Sequence, residues 1–133
     1  MSLVLIVEDN DKNLKLVRDV LGAKGYDTIE AQSAEDGLVL ARERHPDLVL
    51  MDIQLPGMNG IDALGVLRAD PVTAEIPVIA VTASVMQQDR NLITDAGFDG
   101  YVAKPISLKE FLEAVRVALA QRGPGIAPTG AGE

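Results

Sequence analysis

Short apolar runs alternate along this chain with longer stretches whose apolar residues return at helical spacing. Leu3–Val7 reads as a strand, and about Lys12–Lys24 as a helix ending at Gly25. Thr28–Ala31 is short and half polar, the pattern of an edge strand. Ser33 can cap the next helix, with Asp36 three residues on and Leu38 and Ala41 facing inward. Leu48–Met51 is almost continuously apolar, as a strand covered on both faces should be. A helix over about Gly60–Arg68 follows, weakened by Gly65, and then a loop from Asp70–Pro71 to Pro77. Pro77 opens the strand Val78–Val81. A fourth helix, about Val85–Ala96, is rich in polar residues and stops at Gly97. The last strand lies near Tyr101–Ala103. The closing helix, about Leu108–Ala120, repeats apolar residues at Leu108, Phe111, Leu112, Val115 and Leu119. From Gly123 the run GPGIAPTGAGE has too little apolar surface to fold. The expected organisation is one domain over 1–122 and a flexible Gly/Pro-rich tail over 123–133.

Five strands alternating with five helices imply right-handed βαβ crossovers around a parallel sheet, a three-layer α/β architecture. A flavodoxin-like strand order, 2-1-3-4-5, places the first and third strands side by side. The topological switch then falls between them, and Asp9 and Asp52 meet there.

Composition narrows the function. The chain has 133 residues, 47% of them hydrophobic, enough for one core and against disorder. Without cysteine there is neither a disulfide framework nor a thiolate metal site, which suits reducing cytoplasm. No leader and no apolar stretch of about 18 residues is visible, so a soluble cytoplasmic protein is expected. Twelve basic against 20 acidic residues give a net charge of −8. That field disfavours nucleic acid and anionic membranes. The only close basic pair, Arg42 and Arg44, is split by Glu43. His45, beside Pro46, reads as a surface residue in a helix-to-strand loop.

The chemistry gathers at strand ends. Glu8 and Asp9 follow the first strand, Asp52 ends the third, Thr82 the fourth and Lys104 the fifth. Three carboxylates in one crevice repel one another unless a cation joins them. Mg²⁺ resolves the conflict with oxygen ligands and retained waters. Asp9 and Asp52 are the direct ligands in this reading, Glu8 holds a metal-bound water, and the Gln54 carbonyl adds another oxygen. A phosphoryl group accepted by Asp52 would meet Lys104 on one side and the Thr82 hydroxyl on another, with Ala83 leaving room. Taken singly, each residue has a plainer reading. The acidic pair suits a solvated loop, Asp52 and Thr82 suit helix caps, and Lys104 suits an exposed strand end. Their convergence on one edge of one sheet favours the site.

The runs VEDNDKNLKL, MDIQLPGMNG, PVIAVTA and KPIS resemble the receiver domain of two-component response regulators, with its CheY-like fold, from about Leu3 to Ala120. Within that family the chain is most similar to stand-alone receivers of the DivK type. The resemblance implies Glu8 and Asp9 as the acidic pair and Asp52 as phosphoacceptor. It also implies Lys104 as the family lysine, Thr82 as switch hydroxyl, Tyr101 as switch aromatic and Pro105 as a cis proline. Gln54 and Ser84 would flank the phosphoryl group and tune its lifetime. The implied donors are the phosphohistidine of a sensor kinase or phosphotransfer protein, or acetyl phosphate, with Mg²⁺ as cofactor and Mn²⁺ as a substitute. The domain would promote its own phosphorylation and dephosphorylation. No room remains after Ala120 for an output domain, so a downstream protein partner is expected.

On the first helix, Leu16 and Val20 point away from the core stripe of Leu14, Val17 and Leu21. Either a broad buried face takes both, or they form an apolar patch where a phosphodonor docks. Three other functions stay open. A flavin mononucleotide module would need a Ser/Thr/Gly phosphate loop where Glu8-Asp9-Asn10 stands. A haloacid-dehalogenase-like phosphatase would want a second acid at Gln54. The third is a phosphorylation-independent adaptor.

Overall fold

The chain's regular elements begin where polar residues give way to apolar ones, and in three helices an Asn or Ser side chain marks the spot. A computed structural model describes residues 2–55, 57–83, 91, 93 and 95–122. The Asn10 side chain accepts from the amides of Lys12 and Asn13 and opens α1, Asp11–Ala23. Ser33 Oγ accepts from the Asp36 amide at 3.1 Å and opens α2, Ala34–Arg44. Asn59 Oδ1 accepts from the Asp62 amide at 2.9 Å and opens α3, Gly60–Ala69. Each cap satisfies amides that the helix cannot reach from within. Gly25 and Gly97, the expected stops, have φ of 88° and 103°, a conformation that favours glycine.

The five strands are β1 Leu3–Val7, β2 Asp27–Ala31, β3 Leu48–Asp52, β4 Val78–Thr82 and β5 Gly100–Ala103. All pairings are parallel, in the order β2-β1-β3-β4-β5. The expected architecture and strand order are therefore those found. Asn91, Ile93, Asp95 and Ala96 are helical, whereas the rest of the expected fourth helix and the 123–133 tail lie outside the described residues.

One core layer packs Leu5, Val7, Val49, Met51 and Ala80 against Ala34 and Ala41 of α2 and Ala63, Leu64 and Leu67 of α3. The other packs Val4, Ile6, Leu50, Ile79 and Val102 against Leu14, Val17 and Leu21 of α1. The C-terminal helix, Leu108–Arg122, completes that layer with Phe111, Val115 and Ala118. Every residue of β3 and β4 is buried, which explains their unbroken apolar runs. Phe111 is wholly buried, and its truncation to Ala should cost about 3–5 kcal/mol. The expected stripe on this helix needs one correction: Leu108 is 47% exposed, because core contacts begin a turn later, and Ala118 is buried in its place.

Candidate functional site

Parallel register decides which side chains share the carboxyl edge of the sheet. Val7 pairs with Met51, Asp52 with Val81, and Thr82 with Ala103. Glu8, Asp52, Thr82 and Lys104 therefore finish adjacent strands at nearly one level. The Glu8 amide donates to the Ala31 carbonyl at 3.0 Å, extending β1–β2 pairing by one residue. The Lys104 amide donates to the Thr82 carbonyl at 2.8 Å, extending β4–β5 pairing in the same way.

Carboxylate oxygens of Glu8, Asp9 and Asp52 all lie within 4.8 Å of one another. Glu8 and Asp52 are buried and Asp9 is exposed. Lys104 Nζ reaches both buried acids, 3.0 Å from Asp52 Oδ2 and 3.2 Å from Glu8 Oε1. The Gln54 amide donates to Asp52 Oδ1 at 2.9 Å, so each oxygen of Asp52 has a fixed donor. The Asn10 amide donates to Glu8 Oε2 at 3.2 Å. Asn10 thus serves both the helix and the site, and its place directly before a helical pattern is the capping signal that could have revealed it.

Among the described residues, three carboxylates against one ammonium leave the crevice negative. Burial, then the hydrogen bond and charge of Asp52, raise the Glu8 pKa from 4.5 to about 7, against the pull of Lys104 and the Asn10 amide. Burial alone would lower the Lys104 pKa, but the hydrogen bonds and charges of Asp52 and Glu8 outweigh it, and the pKa is raised. Hard oxygen donors, close spacing and excess negative charge are what a hard divalent cation requires. The crevice fits such an ion.

The remaining expected residues fall as follows. Thr82 is buried at the end of β4, with Ala83 exposed beside it, and the Lys104–Pro105 bond is cis. Tyr101 is 37% exposed on β5. Gln54 is exposed, whereas Ser84 lies outside the described residues. Leu16 and Val20 part company: Leu16 is 38% exposed, and Val20 is half-buried against the second core layer. His45 is exposed and left-handed at the end of α2, in keeping with its expected surface role.

The family pattern described as the response regulator receiver domain matches residues 4–116. The chain belongs to the response regulator receiver family. It is 49% identical over 113 residues to the polar-differentiation response regulator DivK of Brucella ovis, covering 85% of this chain and 92% of that protein. Among solved structures, a putative response regulator from Chloroflexus aurantiacus superposes with a TM-score of 0.86 at 30% identity, covering 90% of this chain and 98% of that one. The receiver domain of a sensor histidine kinase from Pseudomonas aeruginosa, with magnesium coordinated in its active-site cleft, gives 0.83 at 29% identity. That match covers 90% of this chain and 98% of the other. Membership implies histidine kinases or phosphotransfer proteins as partners, and the acidic cluster suits signalling by aspartyl phosphorylation. Among the described residues, no helix is long and apolar enough to cross a membrane.

Proposed function

We propose that Asp52 is the phosphoacceptor of this receiver, which occupies residues 1–122. The observation carrying this reading is the Lys104 ammonium 3.0 Å from Asp52 Oδ2, in a crevice shared with Glu8 and Asp9. An Asp52 oxygen attacks the phosphorus of a phosphoimidazole in line. A P–O bond forms as the P–N bond breaks, and the departing nitrogen keeps the electron pair and takes a proton. Hydrolysis reverses the modification: water adds to phosphorus, phosphate leaves, and the Asp52 carboxylate returns.

Asp9, Asp52 and the Gln54 carbonyl would hold Mg²⁺, or Mn²⁺ in its place, with Glu8 acting through a water. The ion's contribution is neutralisation of charge on the transferring group. Lys104 neutralises another phosphoryl oxygen, Thr82 donates to a third, and Ala83 leaves space. Gln54 flanks the group and tunes its lifetime, a role that the family resemblance extends to Ser84.

Thr82 then moves toward the phosphoryl group and Tyr101 turns inward, repacking the surface of β5 and the C-terminal helix for a downstream protein. Leu16, with Val20 at its margin, forms the docking contact for a kinase or phosphotransfer helix in the cytoplasm. Polar substitution of Leu16 should slow transfer from that partner and spare acetyl phosphate.

Labelled phosphodonors test the central claim. Label should enter the wild-type chain and not Asp52→Asn; equal incorporation in both would overturn the assignment.

A further inference from the structure

Gly60 stands at the first position of α3, buried, with helical backbone. Neither conformational freedom nor helix propensity calls for glycine there, and alanine is the better helix former. Space is what calls for it. A Cβ at Gly60 would lie 2.5 Å from the carbonyl oxygen of Asp52, 3.0 Å from Ile53 Cα and 3.0 Å from Met51 Cγ. Two of those three neighbours are backbone, which cannot swing aside as a side-chain tip does. The Gly60 amide also donates to the Ile53 carbonyl at 3.1 Å, and Ile53 in turn donates to Val81 of β4 at 3.0 Å. The start of α3 is thus pressed against the peptide that carries Asp52. One residue further on, the Gln54 amide holds Asp52 Oδ1.

We infer that Gly60 is a positioning residue for Asp52: its missing methyl lets the start of α3 pack against the Asp52–Ile53 peptide tightly enough for the Gln54 amide to fix one carboxylate oxygen while Lys104 holds the other. A methyl at Gly60 forces the Asp52 peptide and the first turn of α3 apart. The Gln54 amide then loses its hold on Oδ1, and the carboxylate leaves its line of attack. Misplacement by a fraction of an ångström at a reacting atom should cost about tenfold in rate.

This inference rests on Asp52 being the phosphoacceptor, so its test must separate the two. Gly65, on the same helix, has nothing within 4 Å of an added Cβ and is exposed. Gly65→Ala should raise thermal stability and leave phosphorylation unchanged, and it supplies a background in which Gly60→Ala remains folded. In the double variant, at a temperature where circular dichroism shows full folding, the acetyl phosphate reaction should be about tenfold slower than in Gly65→Ala alone. Titration should show weaker Mg²⁺ binding, and the Gln54 amide proton should shift upfield in the metal-free NMR spectrum as its hydrogen bond lengthens. Wild-type rate, affinity and Gln54 shift in the folded double variant would overturn the positioning role and leave Asp52 as phosphoacceptor. Label incorporated undiminished by Asp52→Asn would remove the phosphoacceptor reading itself.

Discussion

The two edges of the sheet treat charge in opposite ways. At the amino edge, Asp47 accepts from the Leu3 amide at 2.8 Å, and Asp99 accepts from the Val78 amide at 2.8 Å. Asp99 also pairs with Arg68 at 2.9 Å, and Arg68 donates to the carbonyls of Ala74, Ile76 and Gly97. The charges there end on backbone groups and opposite charges, clamping α3 and the loop before β4 to the start of β5. At the carboxyl edge, among the described residues, Glu8 and Asp52 share the single ammonium of Lys104, with the Asp9 carboxylate close beside them. Acid–base contacts at strand ends therefore do not by themselves make a site. A surplus of one sign, in a place where an added ion can correct it, does.

The sharpest contrast should come from the clamp. Arg68→Ala should lose about 2–3 kcal/mol of stability in urea unfolding, since several carbonyls lose a charged donor together, with the Asp52 phosphorylation rate little changed. A large loss of rate without loss of stability would mean that the two edges are not separable. Next is the response to metal. Mg²⁺ at a hundredfold excess over its dissociation constant should stabilise the wild type by about 2.7 kcal/mol. Asp52→Asn should abolish most of that gain in thermal melts. In EDTA at pH 8, where Glu8 is also ionised, the same variant should be more stable than the wild type by about 1 kcal/mol, because one of three crowded charges is gone. A less stable variant would show that the Lys104 pairing outweighs the repulsion.

The third contrast is in pH. Glu8 of the folded, metal-free chain holds its proton up to about 7, whereas the unfolded chain releases it near 4.5. Between those values the unfolded state binds fewer protons, so the Glu8 contribution lowers stability as pH rises through the window and levels off above it. Asp52, Asp9 and Lys104 face the group. Urea titrations in EDTA from pH 5 to 8 should show this decline, and Glu8→Gln should flatten it.

Most of the fold is legible because burial on one or both faces writes itself into the order of side chains. Strands β3 and β4 are the clearest case, each buried end to end and apolar up to its last residue. The acidic crevice is legible for a related reason: Glu8 and Asp52 each follow an apolar run directly, with Asp9 next to Glu8, so strand order alone brings them together. What periodicity does not convey is contact at the ends of elements. Leu108 belongs to the apolar repeat yet is exposed in the first turn of its helix. Arg68 looks like any polar residue at the end of a helix, although it joins three segments of chain. Gly60 reads as a poor helix former until the Asp52 carbonyl is seen behind it. Leu16 and Val20 lie one turn apart on α1, and only the width of the neighbouring core decides that one is exposed and the other half covered.

The outermost strands have a consequence for how other proteins can read this domain. β2 carries Asp27 and Glu30 along its length, and β5 has only four residues. A charged margin and a stub are both poor templates for an extended peptide seeking a ladder of main-chain partners. Recognition is thereby steered from generic strand addition to the side chains of helices and loops, where sequence can distinguish one partner from another.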